Sequence, residues 1–155
     1  MPPSAAASLV VRRATVADLE ALAPLFDAYR RFYDRPGDLE LAREFLEARL
    51  TRGESVVFVV LVDDVAVGFT QLYPSFSSVS ARPILVLNDL FVSEAGRRRG
   101  AARRLLDAAI AHARSEGAVR LALSTARSNL AAQKLYESTG WKRDDEFLTY
   151  EFELE

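Results

Sequence analysis

"AGRRRGAARRLL", residues 95–106, sets three arginines and a glycine directly before a run that reads as a helix. Aligned peptide dipoles leave partial positive charge at a helix N-terminus, so cations are unfavourable there. Stacking arginines on that end costs energy unless an anion lies on them. The same end presents unpaired backbone N–H groups, which together with the dipole make an anion site. Gly100 lets the chain bring those groups close to a ligand. Ala101 and Ala102 keep side chains out of the way, and Arg97, Arg98 and Arg99 add charge-assisted donors. The expected guest is a phosphate, and the number of donors suggests a pyrophosphate. A solvated basic turn is the plainer alternative. Neither GxGxxG nor GxxxxGKS/T, the two familiar nucleotide loops, occurs.

Working outward, "PILVLNDLFV" (83–92) reads as a long strand leading into the loop. Residues 100–115 read as a helix, with apolar positions at Ala102, Leu105, Leu106, Ala109, Ile110 and Ala113, ended by Gly117. Upstream, Leu9–Arg13 is β-prone. Thr15 and Asp18 offer a capping box, and Leu19, Leu22, Ala23, Phe26, Tyr29 and Tyr33 follow at helical spacing, with Pro24 expected to kink the helix. Asp38 caps a second helix through about Arg49. "VVFVVLV" (56–62) and "VAVGFTQLY" (65–73) read as strands around a turn at Asp63 and Asp64, and the Ser- and Pro-rich stretch 74–83 as a loop. Downstream come a strand at "VRLALS", a capped helix in "SNLAAQKLYESTG" closed by Gly140, and a last strand at "FLTYEFEL" (147–154). The order β-α-α-β-β-β-α-β-α-β predicts an α/β fold with one mixed sheet flanked by about four helices.

The chain of 155 residues suits one domain, expected over 8–155 behind a loose tail at 1–7. Its net charge of −2 argues against a general nucleic-acid binder, so the arginine run is a local feature. With no cysteine, the sequence offers no disulfide, thiolate ligand or Cys nucleophile. Its one histidine, His112, reads as a surface residue with no role and leaves little for a metal site; none is expected. The N-terminus makes a poor signal peptide. The longest apolar run, Val56–Val62, is far short of the about 20 residues that span a bilayer. The expectation is a soluble, cytoplasmic protein with no membrane partner.

"RRRGAA" resembles the Gln/Arg-x-x-Gly-x-Gly/Ala loop of the GNAT N-acetyltransferase superfamily, with Arg97, Gly100 and Ala102 on the defining positions. Downstream, "NLAAQKLYESTGW" is similar to that superfamily's second signature, here Asn129, Ala132, Tyr136, Gly140 and Trp141. The strand "LNDLFV" matches as well, and the likeness covers about residues 9–153. It looks most like the polyamine and thialysine acetyltransferase branch.

This resemblance implies a GNAT-like domain using acetyl-coenzyme A, whose pyrophosphate would be the missing anion. It implies a strand pair splayed at the cofactor, with the backbone of Leu90, Phe91 and Val92 pairing with the pantetheine arm and Asn129 holding its end. It implies that Tyr136 protonates the departing thiolate. The acid–base match agrees: the leaving thiol titrates near ~8.5 by analogy with Cys and a phenol near ~10, so tyrosine stays protonated at neutral pH and can still donate. The branch carries a Glu where this chain has Asn88, which cannot take a proton. Asp89 is the adjacent candidate base. Strand alternation points it to the other face, unless a bulge re-aims it. The resemblance also implies that the first two helices and the loop after the third strand surround the acceptor, which here supply Asp27, Tyr29, Tyr33, Asp34, Tyr73 and Phe76, together with Asn88. Tyrosines with carboxylates suit a cationic amine.

The function implied is transfer of an acetyl group to a primary amine of a small molecule, amino acid or peptide, by direct attack in a ternary complex. A non-catalytic coenzyme A-binding module is the alternative. A homodimer is expected, since such enzymes often pair through strand ends and helices and "FLTYEFEL" is apolar and edge-prone.

Overall fold

A computed structural model describes residues 8–155, so the expected tail at 1–7 lies outside the described residues. The chain falls into two compact units, one ending at Ser124 and the other spanning Thr125–Glu155.

The first unit is built on a five-stranded mixed sheet. Its strands are β1 (Leu9–Arg13), β2 (Val56–Val62), β3 (Val65–Ser77), β4 (Arg82–Val92) and β5 (Leu121–Ala122), which lie side by side in that order. The first four are antiparallel neighbours, and β5 joins β4 in parallel. Helices α1 (Leu19–Phe32) and α2 (Leu39–Thr51) cover one face, and α3 (Ala101–Ser115) the other. Alternation along β2 divides the core. Val57 and Val59 pack with Leu22, Phe26, Ala42, Leu46 and Phe69 under α1 and α2, while Val60 joins Val67, Ala101 and Leu105 under α3.

Local chemistry explains the helix starts. Thr15 accepts from the Ala17 N–H, and Asp18 reaches back to the Thr15 N–H at 2.8 Å, so the expected capping box is present. Asp38 accepts from the Leu41 N–H at 3.0 Å and starts α2. Helix α1 runs on through Pro24 as one element.

Three expectations change. The loop predicted over 74–83 is a hairpin: β3 continues through Pro74 to Ser77, and the chain turns over Ser78–Ala81, where the Ala81 N–H meets the Ser78 carbonyl at 3.1 Å. Beyond Leu72, β3 has no β2 partner, and proline is tolerated on a strand that is an edge on that side. The strand predicted from "VRLALS" shortens to Leu121–Ala122. The strand predicted at 147–154 does not form. Phe147, Leu148, Tyr150, Phe152 and Leu154 are 77% to 89% exposed. An alternating apolar pattern makes a strand only when a neighbour supplies the ladder.

The second unit holds α4 (Leu130–Ser138), capped by Asn129, whose side chain accepts from the Ala132 N–H at 3.1 Å.

One irregularity in the sheet matters most. In the β3–β4 ladder Gln71 faces Asp89 and Leu72 faces Leu87, so Asn88 is an extra residue bulged out of β4. The bulge reverses the alternation that followed from the sequence, and Asp89 is 2% exposed. Its carboxylate accepts from the amide of Gln71 and, at 2.8 Å, from the amide of Asn88, while Thr70 Oγ1 donates to its backbone carbonyl at 2.8 Å. Burial pushes the Asp89 carboxyl above the usual range, against donors that pull it down.

A raised carboxyl binds its proton more tightly in the folded state than in the unfolded chain. The protein therefore loses stability as pH climbs from about 4, the unfolded value, through the folded one. Asp89→Asn stays neutral throughout, and Gln71 can turn its amide to meet it. The melting temperature of the variant minus that of the parent should therefore grow from pH 4 to pH 7. A difference that stays flat or shrinks in thermal unfolding at the two pH values would count against a strained buried carboxylate.

Candidate active site

The bulge opens into a cleft of about 340 Å³ between the sheet and the two helices on its face. Asn88 and Asp89 lie on its sheet side with Tyr73 of β3; Phe26, Tyr29 and Arg30 come from α1, and Leu41 and Phe45 from α2. Four of the residues expected near the acceptor or the base thus share one cleft: Tyr29, Tyr73, Asn88 and Asp89. Tyr33 stands behind, its ring edge-on to Tyr29 at 5.1 Å. Asp27 is engaged elsewhere, with Arg31 at 3.3 Å and the Asp38 N–H at 2.8 Å. Asp34 ends α1 in a left-handed conformation, and Phe76 is exposed on the β3 extension. Neither lines the cleft.

The walls are mostly aromatic and the polar groups few. Phe26 stacks on Phe45 with ring centroids 5.5 Å apart, and Tyr29 sits edge-on to Phe69 at 5.9 Å. The Tyr29 hydroxyl donates to the Asn88 carbonyl at 3.3 Å, tying α1 to the bulge. Burial, with the negative charge of Asp89 second, raises both phenols: Tyr73 to about 12 and Tyr29 further. Both remain protonated donors at any working pH.

Below the bulge, β4 continues to Val92, but its pairing with β5 covers only Leu85 and Val86. Among the described residues, the edge from Leu87 onward pairs with no strand on that side. Phe91 turns its carbonyl toward β3, where it lies 2.7 Å from the position a Cβ on Gly68 would take. By strand alternation the backbone groups of Leu90 and Val92 face the open edge.

The chain then enters the arginine loop. Gly100 is left-handed at φ +75°, and a Cβ built there meets nothing within 4 Å, so the loop is open above it. The first intrahelical bond of α3 runs from the Arg104 N–H to the Gly100 carbonyl at 3.1 Å. The N–H groups ahead of it have no side-chain cap, and the first turn contains no acid. Arg97 folds back on the Val92 carbonyl at 3.4 Å and Arg99 on the Ala95 carbonyl at 3.2 Å. Arg98 takes a positive φ of 64° and is exposed. Ala101, the first residue of α3, is buried and Ala102 half-buried, which keeps the mouth clear. The donor set, the charge and the open space fit a pyrophosphate.

In the second unit, Asn129 Oδ1 is committed to capping α4. The Tyr136 ring lies 6.0 Å from that of Trp141, and the Trp141 N–H closes on the Tyr136 carbonyl at 3.0 Å. His112 departs from its surface reading: it is half-buried, with its ring edge-on to Phe58 at 5.8 Å.

Sequence reasoning missed Phe26, Arg30, Leu41, Phe45 and Gln71. Two signals existed. Phe26, Arg30 and Tyr33 fall on one helical stripe, and Gln71 is a polar residue inside an apolar strand.

The family model described as "Acetyltransferase (GNAT) family" matches residues 22–141. An uncharacterized N-acetyltransferase of Bacillus subtilis (strain 168), YhfO, is 46% identical over 140 residues, covering 90% of this chain and 94% of that protein. A crystal structure of a probable acetyltransferase superposes with a TM-score of 0.90 at 45% identity, covering 94% of this chain and 98% of the other. The aminoglycoside N-acetyltransferase AAC(6')-Iy in complex with CoA shares the fold at a TM-score of 0.80 and 21% identity, with 98% of each chain covered. The chain is a member of the GNAT acetyltransferase family, an acyltransferase of the N-acetyltransferase type.

Proposed function

We propose that this chain moves the acetyl group of acetyl-coenzyme A to a primary amine of a small molecule, amino acid or peptide, by direct attack while both are bound, and that residues 8–155 act as one cytoplasmic transferase domain. The observation that carries the reading is the buried carboxylate of Asp89 in an aromatic cleft, on the same strand whose end feeds the open Gly100 loop. Acetyl-coenzyme A supplies the activated acyl group. The first turn of α3 with Arg97, Arg98 and Arg99 would hold its pyrophosphate, with Ala101 and Ala102 leaving room. Leu90 and Val92 offer backbone partners along the open edge of β4, with Phe91 between them, and Asn129 keeps its amide N–H group for the pantetheine end.

On the acceptor side, Tyr29, Tyr73 and Asn88 hold the amine, with Tyr33 bracing Tyr29. An amine attacks only when neutral, and it gives up a proton as its nitrogen bonds to the acyl carbon. Asp89 accepts that proton; burial makes it a better base than an exposed carboxylate. As the carbon–sulfur bond breaks, Tyr136 would give its proton to the sulfur; the proton taken up by Asp89 leaves to solvent and solvent reprotonates the tyrosinate, so the net transfer is one proton from amine to thiol. Most of the rate comes from holding the two reactants together. A homodimer completes the proposal.

Three measurements test it. Gly100→Asp puts a carboxylate where the pyrophosphate lies and should weaken acetyl-CoA binding by at least ~10-fold in calorimetry. Gly100→Asn, which tolerates a positive φ and carries no charge, should lose less; equal losses would point to backbone strain alone. Tyr136→Phe removes only a hydroxyl, so kcat should fall ~10²-fold. The acetyl-CoA Kd should stay within about threefold, as expected for one neutral hydrogen bond. Full kcat would return Tyr136 to a packing role. Light scattering at micromolar concentration should give the mass of a dimer, and a monomer mass would remove that part.

A further inference from the structure

The cleft contains one charged group that acetyl transfer does not use. Arg30 lines it, as Asp89 does, and is half-buried. Arg31, the next residue, pairs with Asp27 at 3.3 Å; Arg43 pairs with Glu20 at 2.8 Å and Arg49 with Glu54 at 3.2 Å. The Arg30 guanidinium has no ion-pair or hydrogen-bond partner among the described residues. Its one acidic companion in the cleft, Asp89, is already engaged by Gln71 and Asn88. A guanidinium carries five donors in a planar fork and cannot shed its charge. Arg30 shares the cleft lining with Phe26, Tyr29 and Phe45, so a ligand that enters between those rings meets its fork of donors.

The geometry points to an acceptor that carries a carboxylate as well as its amine, with Arg30 receiving the carboxylate and Asp89 facing the amine. The inference rests on the transferase reading above and narrows its acceptor to an amino-acid-like molecule. A carboxylate matches the guanidinium fork with two parallel hydrogen bonds, so Arg30 sets specificity. The aromatic walls take a compact apolar body. At about 340 Å³ the cleft lies at the small end of ligand pockets. A polycation such as a polyamine or an aminoglycoside would bring like charge against Arg30.

Matched acceptors that differ only in the carboxylate test this: L-phenylalanine against 2-phenylethylamine, and L-lysine against 1,5-diaminopentane, with kanamycin as the polycation. Thiol release from acetyl-CoA is the readout. In the parent protein kcat/KM for the acid should exceed that for its decarboxylated partner by at least about tenfold in one pair, as expected for a charge-assisted bidentate contact. In Arg30→Gln that ratio should collapse to within about threefold of one, and Arg30→Lys should restore part of it, since lysine keeps the charge without the fork. A parent that prefers the decarboxylated amines or kanamycin overturns the inference. So does an equal fall for both members of a pair in Arg30→Gln, which would mark Arg30 as structural. If no acceptor is turned over, the transferase reading fails first, and the inference is then read by binding. Millimolar L-phenylalanine should raise the melting temperature of the parent more than 2-phenylethylamine does, and Arg30→Gln should abolish the difference. Equal or absent shifts in the parent overturn it independently of turnover.

Discussion

One extra residue in β4 sets the position of everything in the cleft. Without the bulge at Asn88, strict alternation would turn Asp89 away from α1 and α2 and leave an amide as the only polar group on the cleft side of the strand. With it, Asn88 and Asp89 line the same space, and the Asn88 amide steadies its neighbour's carboxylate. The bulge also frees the Asn88 carbonyl, which Tyr29 takes, so the helix that walls the cleft is anchored to the irregularity that creates it.

Burying a carboxylate among aromatic rings is unfavourable, and the surroundings offset only part of the cost. Gln71 gives one hydrogen bond from its amide nitrogen while its own buried Oε1 meets no partner among the described residues. The Tyr29 and Tyr73 hydroxyls are raised by the same low-polarity surroundings that raise Asp89. On the proposed reading, this cost is borne for a carboxylate that takes up a proton avidly.

Residues that declare themselves through local chemistry were readable in the sequence. Gly100 is glycine because the chain takes a left-handed turn there; Thr15, Asp18 and Asp38 announced helix starts; and the apolar spacing of Leu105, Leu106, Ala109 and Ala113 marked the buried side of α3. Features that depend on a partner strand were not. A bulge is a property of two strands in register, so the side chain of Asp89 could not be assigned a face from β4 alone. The same reason lengthened β3 past Pro74, where a neighbour was available, and left 147–154 without a ladder. Arg30 and Arg31 look alike in the sequence; the helical stripe separates them, and only the structure shows that one is paired and the other is not.

The cleft and the arginine loop draw on different parts of the chain. The side chains that line the cleft from the helix side, Phe26, Tyr29, Arg30, Leu41 and Phe45, all belong to α1 and α2, joined by a short connection. The loop and the open strand edge offer backbone groups of β4 and the start of α3 together with the arginines of the loop, none of which belongs to the helix pair. Substitutions on the helix pair can therefore redraw which molecule is admitted while leaving the donor half of the site as it is. A fold divided in this way can diversify its diet without relearning its chemistry, and the helix pair is where a change of substrate should be sought or engineered.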